Sequence, residues 1–364
     1  MNIVVVGAGL AGSLLTQGLR RAGFDVTLFE REPADRRGQG YRIHLEPEGD
    51  LALRECLPPR LYDEALATSG ERGSGVRVLD PQLRIVHEIL VPDSPDAERT
   101  GRHLTVDRET LRRIMLSGID VHYGAAFERF DLLDDGRVRA RFSDGTVAEA
   151  DLLVAADGTH SRVRAQLLPH AEVIETGQSE IYGKTPLTAE VRALMPPAAM
   201  DSFTTIVGDD GRFVPLAAHR FRSGGEDYVM WVVVAPKAMF PIELTGADGA
   251  NLLEVAGKMV ADWHPDIAAI IGRADPRSVA ATTIRTANPV PHWATGPVTF
   301  VGDAIHTMIP AGMSAGVALR DAAALCRAIT APTGSLRDAL RAYEIEMLDH
   351  GFAAVAASMR RGSS

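Results

Sequence analysis

Positive charge, cysteine and long apolar runs are all scarce in this chain of 364 residues. The 38 lysines and arginines are outnumbered by 48 acidic residues, and a net charge of −10 argues against a nucleic-acid partner, which would need a basic stripe. The two cysteines, Cys56 and Cys326, form no CxxC, so neither a disulfide framework nor a metal knuckle is indicated. No apolar run reaches the ~18 residues that cross a bilayer, and from the strand residues at its start we expect no leader. We therefore expect a cytoplasmic protein without a membrane partner.

The first thirty residues carry a dinucleotide-binding pattern. A β-branched run leads into Gly7-Ala8-Gly9-Leu10-Ala11-Gly12, and a helical apolar stripe and a second strand ending in Glu30 follow. Gly7 permits a tight turn, Gly9 lets the backbone approach a pyrophosphate, and Gly12 allows close helix packing. The helix N-terminus offers N–H groups to phosphates, and Glu30 can accept hydrogen bonds from a ribose. We predict a site for an ADP-containing cofactor; the alternative is a glycine-rich turn of another α/β sheet.

Two later segments have a similar form, because each is an apolar strand that ends in a glycine and an acid. Residues 152–156 lead into Asp157-Gly158, and residues 297–301 lead into Gly302-Asp303. Open α/β sheets bind ligands at the carboxyl ends of their strands. We therefore expect these two segments and the glycine motif to meet at one ligand.

Arg108 is a further candidate because of its position in a helix. Asp107 has the side chain of an N-cap, which places Arg108 in the first helical turn. A cation there is unfavourable with respect to the helix dipole, so a bound anion or polar ring nearby would rationalise it. The alternative is an exposed arginine.

The middle of the chain predicts an antiparallel sheet. Residues 178–286 contain short strand-like runs separated by turns, and residues 75–90 have the pattern of a hairpin. We expect this sheet to be inserted into the α/β chain as a second layer. In its longest apolar run both alternating faces are apolar, so both are expected to be covered. Tyr228, Met230 and Trp231 in that run either line an apolar pocket or belong to the core.

The three strand-end motifs, in this order, resemble the class A flavoprotein monooxygenases of the p-hydroxybenzoate and salicylate hydroxylase type. The resemblance rests on the glycine motif with Glu30, on Asp157-Gly158 with Ser161, Val163 and Arg164, and on Gly302-Asp303 with His306 and Pro310. It implies FAD as the cofactor and NADH or NADPH as a transient reductant. The FAD-binding residues that it implies are Gly7, Gly9, Leu10, Ala11, Gly12, Glu30, Arg31, Arg42, Arg108, Asp157, Gly158, Gly302, Asp303, Pro310, Gly312, Met313, Ser314 and Ala315.

Individual roles also follow from the resemblance. The glycine motif binds the ADP half of FAD, Arg108 contacts the ribityl–phosphate region, and Asp303 holds the ribityl chain. The helix after Pro310 points its N-terminus at the pyrimidine edge of the flavin. That arrangement has independent physical sense, because a helix N-terminus stabilises the negative charge that reduction places around N1 and O2.

The implied activity is hydroxylation of an aromatic or polycyclic small molecule with O₂, through a flavin C4a-hydroperoxide that the inserted sheet shields from water. No residue is identified as the catalytic acid or base, and no metal spacing is present. The substrate candidates, chosen by location only, are His44, Tyr182, Arg212, Tyr228 and Trp231. His306 is expected to order its loop rather than to bind a metal. The assembly is expected to be a monomer or a homodimer.

The predicted fold is α/β, with a Rossmann-like FAD-binding domain of the GR2 type, an inserted and mostly antiparallel substrate sheet, and a C-terminal helix. The predicted FAD-binding domain comprises residues 1–74, 103–177 and 287–330. The substrate-binding sheet comprises residues 75–102 and 178–286, and the C-terminal helix comprises residues 331–364.

One loop departs from the family pattern. The family has Gly-x-Gly followed shortly by asparagine, whereas this chain has Gly312-Met313-Ser314-Ala315-Gly316, which is one residue shorter after Pro310. Serine does not adopt positive φ freely, so the loop geometry is expected to differ. The same letters spell GxSxG, the serine hydrolase elbow, but the preceding strand ends well before Ser314. The remaining alternatives keep FAD: a flavin oxidase or dehydrogenase, an epoxidase or Baeyer–Villiger enzyme, and a non-catalytic flavin-binding protein.

Overall fold

The computed structural model describes residues 1–35, 40–91, 96–332 and 334–362. Its strands are β1 (Asn2–Val6), β2 (Asp25–Glu30), β3 (Arg42–Leu45), β4 (Gly75–Leu79), β5 (Ile85–Leu90), β6 (Leu104–Asp107), β7 (Val121–Tyr123), β8 (Phe127–Leu132), β9 (Val138–Phe142), β10 (Val147–Ala150), β11 (Leu152–Ala155), β12 (Val173–Pro186), β13 (Ser202–Val207), β14 (Phe213–His219), β15 (Tyr228–Pro236), β16 (Ala280–Ala287) and β17 (Val298–Phe300). Its α-helices are α1 (Leu10–Arg21), α2 (Pro47–Cys56), α3 (Pro59–Ala67), α4 (Ala97–Thr100), α5 (Arg108–Met115), α6 (Arg162–Leu167), α7 (Ala189–Leu194), α8 (Pro197–Asp201), α9 (Gly249–Met259), α10 (Pro265–Ile271), α11 (Asp303–His306), α12 (Ser314–Thr330) and α13 (Leu336–Gly362).

A five-stranded parallel sheet forms the centre of the cofactor half, in the order β17-β11-β1-β2-β7. Its central strands are buried on both sides and therefore consist almost entirely of apolar residues. The register places the last residues of three neighbouring strands side by side, since Val6 pairs with Ala155 and Ala155 pairs with Phe300. The three predicted motifs thus begin at one edge of the sheet. The Rossmann-like α/β fold predicted from the sequence is confirmed.

A small antiparallel sheet, β10-β9-β8, covers part of the parallel sheet. Its strands are joined by tight turns with glycine at positive φ, at Gly136 and Gly145. The rings of Phe29 and Phe142 stack with centroids 3.8 Å apart, which joins this layer to the end of β2.

The second half of the molecule is a seven-stranded sheet in the order β16-β12-β15-β14-β13-β4-β5. Apart from the parallel pair β13 and β4, its neighbouring strands run antiparallel. The predicted hairpin of residues 75–90 is present as β4 and β5. It joins the sheet through β13, so two segments distant in sequence form one layer.

The two faces of this sheet have different neighbours. On one face Trp231 and Val233 pack with side chains of α7, α9 and α10. On the other face Tyr228 and Met230 pack with Tyr41 and with Ile309, which belongs to the loop before α12. We call this second face the inner face, because it faces the cofactor half. Both faces of the run are covered, as the sequence predicted.

The ribbon of β3 and β6 connects the two halves. Arg42 pairs with Asp107 at one end of the ribbon, and the amide of Gly70 donates to the carbonyl of Thr105 on β6. The ammonium of Lys184 on β12 binds the carboxylate of Asp107 at 2.6 Å. The ribbon therefore fixes the seven-stranded sheet against the cofactor half.

The C-terminal helices close the cofactor half. Helix α12 packs on α1 and α2, and α13 packs on α12 and β17. The hydroxyl of Tyr343 on α13 donates to the carbonyl of Phe300 at 2.7 Å, next to the third motif. Residues 36–39, 92–95, 333 and 363–364 lie outside the described residues. The three domain ranges given from the sequence stay a prediction.

Among the described residues, no helix has the length and apolar character needed to cross a bilayer.

Candidate functional site

The glycine motif forms a tight turn between β1 and α1. Gly7 has φ +107°, and its amide donates to the carbonyl of Phe29 at 2.7 Å. A Cβ at Gly7 would lie 2.3 Å from the carbonyl oxygen of Ala156, and a Cβ at Gly12 would lie 2.0 Å from that of Gly7. Only glycine allows these two close approaches. Gly9 differs from Gly7 and Gly12, because a Cβ at Gly9 would meet no atom within 4 Å.

The N-terminus of α1 lies at this open position. The first backbone bond of the helix runs from the amide of Ser13 to the carbonyl of Gly9. The amides of Leu10, Ala11 and Gly12 therefore have no partner within the helix, and they can donate to a phosphate together with the positive end of the helix dipole.

Glu30 lies at the end of β2 and holds the glycine turn. Its Oε2 accepts from the amide of Ala8 at 2.9 Å, and its Oε1 accepts from the amide of Glu32 at 3.0 Å. Each carboxylate oxygen has lone pairs left for a ribose hydroxyl. Arg31, the next residue, is 60% exposed and pairs with Glu32 at 3.4 Å.

Arg112 is absent from the predicted site, yet it contacts this turn. Its Nε donates to the carbonyl of Ala8 at 2.5 Å, and its guanidinium lies 3.7 Å from Oε2 of Glu30. Arg108 and Arg112 are four residues apart on α5, so they share a helix face. That spacing is the signal from which Arg112 could have been identified.

Arg108 begins α5, and Asp107 is the N-cap, as predicted, because its side chain accepts from the amide of Thr110. The amide of Arg108 donates to the carbonyl of Tyr41. Burial raises the pKa of the Asp303 carboxyl, and the positive charges of His306 and then of Arg108 oppose that rise. Arg108 therefore acts electrostatically on the third motif.

The second motif holds an acid with one unpaired oxygen. Oδ2 of Asp157 accepts from the amide of Arg162 at 2.9 Å, whereas Oδ1 is buried and has no partner among the described residues. Burial raises the pKa of Asp157. Gly158 follows at φ +76°.

Arg164 connects the second motif to the third. Its guanidinium donates to the carbonyl of Thr159 at 2.8 Å and to the carbonyl of Ala304 at 2.7 Å. The amide of Arg164 in turn donates to the hydroxyl of Ser161, the N-cap of α6. One buried side chain thus fixes the spacing between Asp157 and Asp303.

The third motif resembles the second in its electrostatics. Asp303 is buried, its Oδ1 has no partner within the described part of the chain, and burial raises the pKa of its carboxyl. The amide of Gly302 donates to Oδ2 of Asp321 on α12 at 2.9 Å. The same oxygen contacts Nε2 of His306 at 2.5 Å, so His306 orders the loop, as expected.

Asp321 is a second residue that the sequence did not reveal. Burial opposes charging of His306, but the Asp321 carboxylate outweighs it and raises the pKa of the imidazole. Asp321 lies four residues from Val317 and from Leu325, on the apolar stripe of α12. An acidic residue on an otherwise apolar helix stripe is the feature of the sequence from which Asp321 could have been identified.

The loop from Pro310 to Ala315 leads into the N-terminus of α12. Gly312 has φ +82°, Met313 is the N-cap, and Ser314 is the first helical residue. The expected strain at Ser314 is therefore absent, because the positive φ falls on Gly312. The first bond of the helix runs from Val317 to Met313, which leaves the amides before it available to a ligand.

This geometry does not fit the hydrolase elbow. The elbow requires the serine at the turn between a strand and a helix, whereas β17 ends at Phe300 and α11 intervenes before Ser314.

The substrate candidates separate into two groups. Tyr182 and Tyr228 pack on the inner face, where the rings of Tyr41 and Tyr182 are 4.8 Å apart. His44 lies on β3, and its Nε2 is 3.1 Å from Nδ1 of His103. These three side chains lie at or near the junction of the two halves.

Trp231 and Arg212 are corrections. Trp231 packs on the opposite face, because it lies three residues from Tyr228 and side chains alternate between the two faces of a strand. Its Nε1 donates to Oγ1 of Thr185 at 3.0 Å. The guanidinium of Arg212 lies 5.3 Å from the ring of Trp263 and binds Asp262 at 2.7 Å. Both side chains stabilise the helix-covered face rather than a substrate.

Glu180 is a third residue that the sequence did not reveal. It is 3% exposed and shares the inner face with Tyr182 and Lys184, which follow at a period of two along β12. Burial raises the pKa of Glu180 to about 7. Its charge also helps to raise the pKa of Tyr41, after the larger effect of burial. A charged residue within a buried strand is the feature of the sequence from which Glu180 could have been identified.

The residues present fit FAD. Val6, Ala155 and Phe300 are adjacent in register, and strands are ~4.8 Å apart, so the three motifs span ~10 Å of one edge. Two helix N-termini converge there, together with two buried carboxylate oxygens that have no partner among the residues the structure describes. Amides suit the phosphates, and the oxygens of Asp157 and Asp303 suit hydroxyl donors such as those of a ribityl chain.

Comparison with known proteins agrees with this geometry. Residues 102–358 match the family described as FAD binding domain, and residues 5–46 match the NAD(P)-binding Rossmann-like domain. The chain is 32% identical over 380 residues to the dual O-methyltransferase/FAD-dependent monooxygenase elcB of Phaeosphaeria nodorum, covering 92% of this chain and 41% of that protein. The chain therefore spans about two fifths of the length of the first curated relatives that it matches.

Two further similarities extend over nearly the whole of both chains. The aurachin C monooxygenase/isomerase of Stigmatella aurantiaca is 28% identical over 368 residues, covering 100% of this chain and 89% of that one. The structure of Klebsiella pneumoniae HpxO complexed with FAD and uric acid superimposes with a TM-score of 0.82 at 25% identity, covering 100% of this chain and 88% of that chain.

Replacing Glu30 by alanine tests the anchor of the glycine turn. Because the Ala8 amide and Arg112 lose their acceptor, we expect FAD affinity to fall by about tenfold or more. Fluorescence titration of the apoprotein with FAD measures the change, with Asp25→Ala on the exposed start of β2 as the control. Unchanged affinity in Glu30→Ala would contradict the assignment.

Asp321→Asn tests the buried pair behind the third motif. Removing one partner of a buried ion pair leaves His306 uncompensated, so we expect the free energy of unfolding to fall by about 3 kcal/mol. Urea unfolding measures it, with the exposed Glu346→Gln on α13 as the control. Equal stability of the two variants would mean that the pair contributes little.

Glu180→Gln tests the perturbed carboxyl. The folded pKa, about 7, exceeds the ordinary value of 4.5, so between these values the folded protein keeps a proton that the unfolded chain loses. The contribution of Glu180 to the free energy of unfolding therefore falls as pH rises through this window, by about 3 kcal/mol in total. We expect Glu180→Gln to remove that part of the slope in urea unfolding between about pH 4 and pH 8. The exposed Glu190→Gln should keep the slope; a wild-type slope in Glu180→Gln would refute the shift.

Proposed function

This chain belongs to the FAD binding domain family, and we propose that it is an FAD-dependent monooxygenase. In this proposal it uses NADH or NADPH and O₂ to hydroxylate an aromatic or polycyclic small molecule. The convergence of three strand ends on one edge of the parallel sheet, opposite the inner face, carries the proposal. FAD supplies the redox and oxygen chemistry when it is bound.

The protein groups bind and orient the cofactor. The amides of α1 and the motif around Gly9 would hold the pyrophosphate, and Glu30 would hold the adenosine ribose. Asp157 and Asp303 would accept from hydroxyls, which satisfies their buried oxygens. The amides at the start of α12 would favour negative charge on the ring system.

The inner face excludes water from the reacting region. Its apolar side chains on β15, including Met230 and Val232, are almost fully buried, and the loop residue Ile309 packs against them. A flat ring held between this face and the flavin would be shielded from solvent, which is what productive oxygen transfer needs.

The test is a turnover experiment with labelled oxygen. Purified protein should be yellow and release FAD on denaturation, and 1-hydroxy-2-naphthoate should accelerate NADH or NADPH oxidation. With ¹⁸O₂ the product should carry one labelled oxygen atom. Asp303→Asn should lower FAD affinity about tenfold, because the buried oxygen loses its charge, and the exposed Asp209→Asn should not.

Two outcomes would count against the proposal. Protein that is colourless and is not stabilised by FAD would remove the flavoenzyme assignment. Oxygen consumption that yields only hydrogen peroxide with every aromatic compound tried would favour an oxidase of the same fold.

A further inference from the structure

A buried polar cluster occupies one end of the inner face, away from the three strand-end motifs, although the resemblance implied that one of its members, Arg42, contacts FAD. It consists of Arg42, Asp107, Lys184, His219 and Tyr228, and we call it the Asp107 cluster. The Asp107 carboxylate accepts from Lys184 at 2.6 Å and from the Tyr228 hydroxyl at 2.9 Å through Oδ2, while Oδ1 caps α5. Although burial opposes ionisation, Lys184 holds the pKa of Asp107 below its usual range.

Arg42 adds a second cation to this cluster, in which Asp107 is already paired with Lys184; the carboxylate of Asp227 also acts on the pKa of His219, against the larger effect of burial. Arg42 is 7% exposed. Within the described ranges, no carboxylate forms an ion pair or a hydrogen bond with its guanidinium. Its cross-strand partner Asp107 is already paired with Lys184, and its one close aromatic contact is the Phe203 ring, 5.8 Å from the guanidinium carbon. Burial lowers the pKa of Arg42 to about 10. A buried cation without a direct carboxylate partner is unfavourable, which favours the binding of an anion.

His219 adds a hydrogen-bonding group without a partner. It is 1% exposed, and neither ring nitrogen has a hydrogen-bond partner among the residues described. Burial, followed by the charge of Arg42, lowers its pKa to about 4, so the ring is neutral near pH 7. Its ring lies beside that of Tyr228, with centroids 5.1 Å apart.

The neighbouring surface suits an aromatic body. The next positions along the inner face are Met230 and Ala217, which are apolar and paired across β14 and β15. Tyr41 and Ile309 border the same cluster of side chains from the cofactor half. Glu180 lies four residues from Lys184 along β12, ~13 Å away, so the positive charge is confined to one end.

We propose that the Asp107 cluster is the anchor for an acidic group of the substrate, a carboxylate or an ionised phenol or enol oxygen on an aromatic ring. Arg42 is the counter-ion, and His219 donates or accepts a hydrogen bond at the same group. The inference rests on the proposed function for the position of the flavin. It makes the preferred substrates acidic aromatic compounds rather than neutral hydrocarbons.

The test compares an anion with a neutral isostere. Isothermal titration calorimetry of the holoenzyme should show that 1-hydroxy-2-naphthoate binds at least about tenfold more tightly than 1-hydroxy-2-naphthamide. Arg42→Met should weaken naphthoate binding by about 10- to 100-fold and leave naphthamide within about threefold. Arg42→Lys should restore part of the preference, because it keeps the charge without the guanidinium fork. The control is Arg277→Met, at an exposed ion pair.

The remaining outcomes distinguish an anchor for the substrate at Arg42 from a role of Arg42 in binding FAD. Equal affinity of the wild type for both probes would overturn the inference. A loss of FAD affinity in Arg42→Met, with both probes weakened alike, would overturn it too and assign Arg42 to the cofactor. If the chain binds no FAD, the proposed function fails, but calorimetry of the apoprotein still decides whether the cluster prefers the anion.

Discussion

The parallel register of β17, β11 and β1 is the constraint on which the candidate site depends. It aligns Val6, Ala155 and Phe300, so that three motifs separated by about 150 residues each begin at the same edge. The close approach of Gly7 to Ala156 and the two carbonyl bonds of Arg164 then fix the motifs against one another. A slip of one residue would move every side chain to the other face of the sheet and separate these groups.

The same edge contains buried polar groups that no other described residue satisfies. Buried oxygens of Asp157 and Asp303 have no partner among the described residues, while Asp321 is doubly occupied by Gly302 and His306. Native proteins rarely leave buried carboxylate oxygens unpaired. Asp321, whose oxygen is already bonded, therefore stabilises the edge, whereas the unpartnered oxygens of Asp157 and Asp303 are available to FAD.

The inner face carries charge of opposite sign at its two ends. Arg42 and Lys184 bring two cations to the Asp107 cluster, whereas burial raises the pKa of Glu180, farther along β12, to about 7. Between them lies an apolar strip that includes Met230. This polarity gives an aromatic ligand with one acidic group a preferred direction, because reversing it would place like charges together.

The sequence by itself determined the strands, the glycine turn and the acids after β11 and β17, because local periodicity and glycine conformation depend on neighbours in the chain. It could not determine which face of β15 is turned to the cofactor half, so it grouped Trp231 with Tyr228 and placed Arg212 near the substrate. Arg112 and Asp321 act through hydrogen bonds to residues distant in the chain, Ala8 and Gly302, and Glu180 acts through its charge on Tyr41. Only the tertiary structure brings those partners together, because strand order and the packing of the two halves arise from contacts that no local pattern encodes.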